Sequence, residues 1–224
     1  MDLGQPRISA NELGNFVFSN DSARRRILRG QKFPKPGIVA RYQRASAAIL
    51  RSLESNVFSE KLLRAELEKL EKQLVTTKWQ ASTRDTNIRM VRRFIPLAEK
   101  ASPPEGEHTI IRRNADFEFD GVRISVRPDI LTRNMNDKFF TYSKLRFSNQ
   151  KYSADASEIV LLLIQKFAEG QEFAELNFDS SRARLTDCSS QQIFEAHDVS
   201  PYKGQLLMKA LKEIKGLWPF IAEK

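Results

Sequence analysis

The sequence predicts an α+β (mixed α/β) fold, with a helical N-terminal part followed by a central mixed sheet that helices cover. Three observations predict it. Helical apolar patterns fill the first hundred residues. Alternating patterns then flank an Asp120-Gly121 pair, which is typical of a β-hairpin. A strongly apolar helix from residue 154, further short strands and an amphipathic helix from residue 201 give the order helices, then β-β-β-α-β-β-α, as expected for a sheet covered by helices.

Two short helices are predicted in the first 33 residues. Ser9-x-x-Glu12 spells a capping box, in which the serine side chain accepts from the Glu12 amide and the glutamate reaches back to the Ser9 amide. This predicts a helix to about Phe18, and the run Ser19 to Ser22 then breaks it and caps the next. Two such helices also suggest a DNA-binding helix-turn-helix motif. The second helix, however, carries only arginines and apolar side chains, whereas a recognition helix also needs side chains that contact base edges.

Three longer helices follow. Residues 38–53 carry one apolar stripe and form the first of them. The next is capped by Ser59, and its leucines follow a helical spacing at Leu63, Leu67, Leu70 and Leu74. This leucine stripe either packs on its own domain or forms a dimer seam, and it is too short for a convincing coiled coil. The third helix covers residues 83–99, where Pro96 is expected to kink or end it.

A domain boundary is predicted at Ala101–Gly106, where two prolines and a glycine interrupt the helical patterns. It divides the chain into a basic helical region, residues 1–100, and a sheet-containing core, residues 101–224. The helix at 83–99 is expected to pack with the core as one unit. The charge of the chain follows nearly the same division.

The net charge of +9 lies in the first half of the chain. Residues 1–113 hold 22 Lys and Arg against 12 Asp and Glu, a balance of +10, whereas residues 114–224 hold 15 against 16, a balance of −1. Such asymmetry is typical of a polyanion-binding extension, and equally of a well-solvated helical surface. Clustered arginines need a counter-charge, which either phosphate or acidic neighbours would supply. The candidate nucleic-acid contacts are Arg24, Arg25, Arg26, Arg29, Arg41 and Arg44.

Composition excludes several classes of site. The single cysteine, Cys188, excludes an internal disulfide and a cysteine-rich zinc site, and an intracellular location is the simplest expectation. No run approaches the ~18 apolar residues of a membrane span, and the first residues do not read as a signal peptide. His108 and His197 lie far apart and have no cysteine partners. No G-x-x-x-x-G-K-[ST] or G-x-G-x-x-G phosphate loop occurs.

The predicted hairpin has a defined register. A two-residue type I′ turn needs φ > 0 at both central positions, and Asp120-Gly121 tolerates that conformation. Centring the turn on this pair sets Phe119 opposite Val122, Glu118 opposite Arg123, and Phe117 opposite Ile124. Alternation then predicts one apolar face and one polar face for the hairpin.

A third strand is predicted over residues 138–147. Alternation puts Tyr142, Lys144 and Arg146 on one of its faces. If this strand extends the hairpin into a three-stranded meander, Lys144 shares the polar side with Asp129, at the end of the second strand. We therefore expect Asp129 and Lys144 to lie close together.

These residues resemble the motif of the PD-(D/E)XK phosphodiesterase superfamily, and most closely its RecB-type exonuclease branch. The carriers are Pro128-Asp129 and, fifteen residues on, Tyr142-Ser143-Lys144, within an order of elements that covers about residues 83–179. The resemblance implies a restriction-endonuclease-like core. The segments S-A-N-E-L, P-D-I-L, K-L-R-F-S and L-W-P also resemble those of a bacterial family, a likeness that implies no activity.

The superfamily resemblance implies Mg²⁺-dependent phosphodiester hydrolysis. Magnesium prefers hard oxygen ligands, and a lysine orients the metal-bound water and steadies the phosphoryl charge. Carried over, Asp129 is a metal ligand and Lys144 the catalytic lysine. Superfamily members often add a carboxylate from the preceding helix, for which Glu99 is the nearest match and Asp85 an alternative.

The chain departs from the motif at Tyr142, where the superfamily has its second metal-binding acid. Tyrosine is a poor Mg²⁺ ligand, so Glu118 is the candidate to substitute from another strand. The alternative interpretation makes Asp129 and Lys144 an ordinary exposed ion pair.

Two functions remain open from the sequence. The first is a nucleic-acid-binding protein, for DNA or RNA, whose nuclease-like core is a metal-dependent nuclease with a degraded site. Tyr142 favours binding over efficient cleavage. The second is a protein–protein module, an inhibitor or adaptor of a phage, plasmid or bacterial defence system, which keeps the fold without the site. A homodimer or another protein partner is compatible with either.

Overall fold

The computed structural model describes residues 4–34, 39–54, 60–112, 115–148, 152–173, 175–196 and 200–223, and confirms the α+β class. Its α-helices are α1 (Ala10–Val17), α2 (Asp21–Lys32), α3 (Gln43–Leu53), α4 (Glu60–Glu71), α5 (Lys78–Phe94), α6 (Ala98–Ala101), α7 (Ala154–Glu169) and α8 (Pro201–Leu217). Its strands are β1 (Arg7–Ser9), β2 (Glu107–Ile110), β3 (Ala115–Phe119), β4 (Val122–Val126), β5 (Ile130–Asn134), β6 (Phe139–Arg146), β7 (Asn177–Phe178), β8 (Arg184–Asp187) and β9 (Gln192–Glu195).

Local sequence signals account for most helix ends. The Ser9 side chain accepts from the Glu12 amide at 3.3 Å and caps α1, as predicted. Helix α5 begins earlier than the sequence indicated, because Thr77 and Gln80 form a reciprocal capping box. It ends at Phe94, and the Ile95–Leu97 turn that contains the late proline is a 3-10 helix. The prediction of an interruption at this proline is therefore confirmed.

Other elements differ in length from their predicted ranges. The helix expected over residues 38–53 begins as a 3-10 turn, Val39–Tyr42, before α3 starts. Among the short strands predicted after the apolar helix, the first, β7, has only two residues. Helices α7 and α8 and strands β8 and β9 follow the predicted order. Ser59, the expected cap of α4, lies outside the described residues.

The strands form two sheets. The three-stranded sheet has the order β1-β4-β3, and its β3–β4 hairpin has the predicted register, with Phe119 opposite Val122 and Glu118 opposite Arg123. Asp120 and Gly121 have φ of 49° and 72°, as the predicted turn requires. The six-stranded sheet has the order β2-β5-β6-β8-β9, with β7 paired to β6.

The predicted three-stranded meander is wrong, because the strand at 139–146 does not join the hairpin. It pairs with β5, and both belong to the six-stranded sheet. The chain leaves the first sheet after β4 at Arg127-Pro128, where proline has no amide hydrogen to continue the ladder. The face of β6 expected to be polar is also buried, since every residue of β6 is buried.

Two apolar cores hold the layers together. The larger lies between the three-stranded sheet, one side of the six-stranded sheet and helices α1, α7 and α8. The smaller lies where helices α3, α4 and α5 pack with residues of β5 and β6, including Ile130 and Leu145. Residues 7–32 join the larger core: β1 pairs in parallel with β4, and α1 packs on α7. The first hundred residues therefore contribute to two separate layers.

The leucine stripe of α4 packs within its own domain. Leu63 and Leu70 are fully buried in the smaller core, and Leu67 packs against it. Leu74 lies beyond the end of α4 and is 94% exposed. Within the described residues, no helix combines the length and the apolar run needed to cross a bilayer.

A pair of glycine substitutions should move stability in opposite directions. Gly121→Ala is expected to cost about 1–2 kcal/mol, because the left-handed conformation at its φ of 72° is strained for a residue with a Cβ. Gly216→Ala in α8 is expected to add about 0.5–1 kcal/mol, because its Cβ meets no atom within 4 Å and alanine favours the helix. Chemical denaturation of both variants checks this, and equal effects would contradict it.

Candidate functional site

Asp129 and Lys144 lie close together, as predicted, although by another route. Asp129 directly precedes β5 and Lys144 lies on β6, where Ile130 pairs with Ser143 and the Asp129 amide donates to the Ser143 carbonyl at 2.9 Å. One carboxylate oxygen of Asp129 accepts from the Leu145 amide at 2.7 Å. The Lys144 ammonium donates to the Arg127 carbonyl at 2.7 Å. Strand pairing and backbone contacts thus hold both side chains.

Burial dominates the electrostatics of this pair. Both residues are 6% exposed, so they form neither an exposed ion pair nor the wall of an open cleft. Burial raises the pKa of Asp129, and Lys144, the Leu145 amide and Arg127 partly offset the rise. Burial also lowers the pKa of Lys144, which Asp129 partly offsets, while Arg127 lowers it further. Each side chain is therefore driven toward its neutral form.

Tyr142 is a structural residue of the larger core. It is 3% exposed, and burial raises the pKa of its hydroxyl to about 12. Its ring centroid lies 6.0 Å from Phe140, 5.7 Å from Phe167 and 6.3 Å from Phe178. The position of the second acid in the superfamily motif is thus filled by an aromatic side chain that packs against α7.

The other candidate metal ligands lie apart from Asp129. Glu118 is exposed on β3, in the other sheet, where it accepts from the Gln5 side chain at 3.2 Å. Glu99 is exposed on α6, and Asp85 accepts from Arg84 at 3.1 Å. Among the residues that the structure describes, no three His, Cys, Asp or Glu side chains group to hold a metal ion. The donor set present does not fit the magnesium site that the resemblance implies.

A second buried ion pair lies on the same strand and was not predicted. The Arg146 guanidinium contacts the Asp187 carboxylate at 3.1 Å, with side chains 7% and 0% exposed. The guanidinium also lies 4.2 Å from the centre of the Tyr152 ring. Asp187 accepts from the Tyr152 amide at 3.2 Å and from the Ser190 hydroxyl at 2.7 Å. This network joins β6, β8 and the start of the α7 segment.

Three of the six arginines predicted to contact nucleic acid instead bind other groups of the protein. Arg24 binds both carboxylate oxygens of Glu213 on α8, at 3.0 and 3.1 Å. Arg44 contacts Glu66 at 3.1 Å, and Arg29 donates to the Ala222 carbonyl at 3.1 Å. Acidic neighbours, one of the two predicted counter-charges, therefore compensate Arg24 and Arg44.

The remaining three predicted arginines keep their charge at the surface. Arg25 and Arg26 are exposed on α2, with no hydrogen bond or ion pair to any described residue. Arg41 is exposed and donates to the neutral Ser82 hydroxyl at 2.8 Å, which leaves its charge uncompensated. Because Ser82 lies on α5, this contact fixes Arg41 over that helix.

Helix α5 carries further cations beneath Arg41 that sequence reasoning missed. Lys78, Ser82, Arg89 and Arg93 follow each other at i, i+4, i+11 and i+15, so they lie on one face. Lys78 and Arg89 are exposed and Arg93 is half-buried, and none of these three side chains pairs with another described residue. We call Arg41, Lys78, Arg89 and Arg93 the α5 basic face. Their helical spacing was present in the sequence.

A groove of about 720 Å³ between α7 and strands β8 and β9 has a different character. It is lined by two cations, Lys100 and Arg184, and by two acids, Glu158 and Glu195. Arg184 contacts Glu195 at 3.7 Å and donates to the Lys100 carbonyl at 3.2 Å. These charges balance, so the groove has no preference for a polyanion. Neither Asp129 nor Lys144 lines it.

The α5 basic face and the buried Asp129–Lys144 pair are the two candidate sites of the molecule. The two sites differ in their exposure to solvent. The cations of the α5 basic face are accessible, whereas Asp129 and Lys144 are buried. No protein-family model matches this chain, and a search of curated proteins finds no match to it.

Proposed function

We propose that the protein binds nucleic acid through the α5 basic face. The observation that carries this proposal is a row of four cations on one rigid surface, none of which is in ion-pair contact with a carboxylate of a described residue. Asp85 lies on the same face, four residues before Arg89, but its carboxylate is paired with Arg84 at 3.1 Å. From Lys78 to Arg93 the row is about 22 Å long, at 1.5 Å per residue.

A row of this kind suits a repeating phosphate backbone better than a single small anion. Duplex DNA carries a phosphate about every 3.4 Å along each strand, so a row of this length spans several phosphates. Arginine donates through a planar fork that matches phosphate oxygens, and three of the four cations are arginines. Such contacts give affinity without sequence preference.

The proposal is for binding rather than cleavage. Asp129 and Lys144 lie close together on neighbouring strands, as the PD-(D/E)XK resemblance implies, and this supports a shared core architecture. Their 6% exposure, the packed ring of Tyr142 and the separation of Glu99 and Glu118 argue against efficient phosphodiester hydrolysis. Incubation of the protein with DNA and RNA in Mg²⁺ or Mn²⁺ checks this. Cleavage by the wild type that is lost in Asp129→Asn and in Lys144→Met, while circular dichroism shows both variants folded, would overturn the assignment.

Removing charge from the α5 basic face should weaken binding and its dependence on salt. We expect Arg89→Ala/Arg93→Ala to lower affinity for labelled DNA or RNA, because two phosphate contacts are lost. The slope of log affinity against log salt should fall in magnitude by about two, one for each contact. Fluorescence anisotropy between about 50 and 200 mM salt measures both quantities.

Arg123→Ala provides a matched control for this experiment. It removes one exposed positive charge, where the α5 variant removes two, and Arg123 lies on β4 and is paired with Asp116 through a 2.8 Å hydrogen bond. Its affinity and salt slope should match those of the wild type. Equal losses in the control and in the α5 variant would contradict the proposed face. Absence of binding at low salt would contradict the function and favour the protein–protein module.

A further inference from the structure

We propose that Trp79 is a base-stacking platform at one end of the α5 basic face, and that the bound nucleic acid is single-stranded. This inference rests on the proposed function and names its substrate class. Trp79 is 61% exposed, although an indole of this size is usually largely covered in a folded protein. The only other tryptophan in the chain, Trp218, is 2% exposed and belongs to the larger core.

The position of Trp79 links it to the cations. It follows Lys78 directly and lies three residues before Ser82, the residue that holds the Arg41 guanidinium at 2.8 Å. Residues three apart on a helix are neighbours, with Cβ atoms about 5–6 Å apart. Trp79 and Ser82 are therefore neighbours at the start of α5, which places the indole next to the Arg41 end of the α5 basic face.

The backbone beneath the indole is held in place. Thr77 caps α5, and the Gln80 side chain accepts from the amides of Thr76 at 2.9 Å and Thr77 at 3.2 Å. Arg84 of α5 donates to the carbonyl of Gln73, on the loop that precedes the helix, at 3.2 Å. Little conformational entropy is then lost when a ligand meets this surface, which favours affinity.

An exposed aromatic ring beside cations fits an unpaired base followed by its phosphate. Stacking of a base on an aromatic side chain contributes about 1–3 kcal/mol and tolerates any base, because every base has a π-face. In a duplex the bases are already stacked on one another, so their faces are not available to Trp79. The cations of the face would hold the phosphates that flank the stacked base.

The charge of the surroundings favours this ligand over an apolar protein partner. The Arg41 guanidinium, held by Ser82 about one helical turn from Trp79, makes no ion pair with a carboxylate of a described residue. An apolar partner would have to desolvate this uncompensated cation, which is costly. A polyanion with aromatic bases complements both the charge and the ring.

The experiment uses oligo(dT) and a duplex of the same length, with the full chain. Oligo(dT) is expected to quench the fluorescence of Trp79, and Trp79→Ala should lose that quenching because Trp218 is buried. Trp79→Ala should bind oligo(dT) about 5- to 150-fold more weakly, the ratio that corresponds to one stacked base. Its salt slope should stay at the wild-type value, because no charge is removed.

Two matched variants separate stacking from simple loss of apolar surface. Trp79→Phe keeps an aromatic face and should retain most of the affinity. Leu74→Ala removes an apolar side chain that is 94% exposed on the adjoining loop, and should bind as the wild type does. Far-UV circular dichroism of each variant should match that of the wild type, because both positions are exposed.

The outcomes distinguish this inference from the function on which it rests. Salt-dependent binding with unquenched Trp79, unchanged affinity in Trp79→Ala or tighter binding of the duplex would overturn the stacking platform and leave the α5 basic face in place. Binding of neither oligonucleotide at low salt would overturn both. Quenching together with selective weakening of oligo(dT) binding by Trp79→Ala would support both.

Discussion

Asp187→Ala is expected to lower the free energy of unfolding by about 3–5 kcal/mol, because it removes a buried carboxylate that forms an ion pair with the buried Arg146 guanidinium. Asp187 is fully buried, and its carboxylate contacts Arg146 at 3.1 Å. It also accepts from the amides of Tyr152, at 3.2 Å, and Ser190, at 3.3 Å. The substitution therefore removes an ion pair and leaves buried donors to be satisfied elsewhere.

Urea denaturation of Asp187→Ala measures the effect, and Asp116→Ala is its matched control. Asp116 pairs with Arg123 at the surface, where the two side chains are 33% and 56% exposed. Exposed pairs contribute about 0–1 kcal/mol, since water already solvates both charges. Similar losses in the two variants would show that burial does not set the strength of the Arg146 contact.

Lys144→Met is expected to cost about 1–3 kcal/mol near neutral pH, because it removes the nearby ammonium that favours the charged form of the buried Asp129 carboxyl, although the two groups are not in ion-pair contact. Methionine fills a similar volume, so the loss reports charge more than packing. The substitution also removes the 2.7 Å hydrogen bond to the Arg127 carbonyl. Asp129→Asn/Lys144→Met should recover much of the loss, because no uncompensated charge then remains on the pair.

The cost of Lys144→Met should depend on pH in a definite direction. Burial raises the pKa of Asp129, so the folded protein holds this proton more tightly than the unfolded chain. Its stabilising contribution is therefore present at low pH and lost as the pH rises through the folded pKa. Without Lys144 that pKa rises further, so Lys144→Met should approach the wild type as the pH falls.

Lys144 itself acts in the same direction. Burial lowers its pKa, so the unfolded chain holds that proton more tightly, and wild-type stability falls as the pH drops below the unfolded value of 10.5. Both groups thus reduce the difference in free energy of unfolding between Lys144→Met and the wild type as the pH falls. Unfolding measured between about pH 8 and pH 5 tests this, and a gap that widens toward acid pH would contradict the assignment.

Local signals predicted the parts of the fold that depend on neighbours in sequence. The turn at Asp120-Gly121 fixed the hairpin register because glycine and aspartate tolerate φ > 0. The Ser9 cap and the interruption at Pro96 followed from single side chains. The adjacency of Asp129 and Lys144 was predicted correctly although the predicted meander was wrong, because β5 and β6 still form a hairpin.

Features set by distant residues could not be predicted in this way. Alternation gave Lys144 and Arg146 a polar surface, but polarity alone does not show that Asp187, 41 residues away, compensates Arg146 in the core. The α5 basic face likewise needs Arg41 over Ser82, a contact between separate helices. Whether a given arginine is compensated depends on such contacts, as the different surroundings of Arg24 and Arg25 show.

The ends of the described chain are interlocked, and this has a consequence for biosynthesis. Strand β1 needs β4 as its partner, Arg24 needs Glu213, and Lys32 donates to the carbonyls of Trp218 and Ile221 at 2.8 and 3.0 Å. Residues 7–32 must wait for partners that follow much later in the chain, and long-range contacts of this kind slow folding. The apolar faces of α1 and α2 therefore stay uncovered during synthesis until α8 is made, and apolar surface exposed in this way favours aggregation.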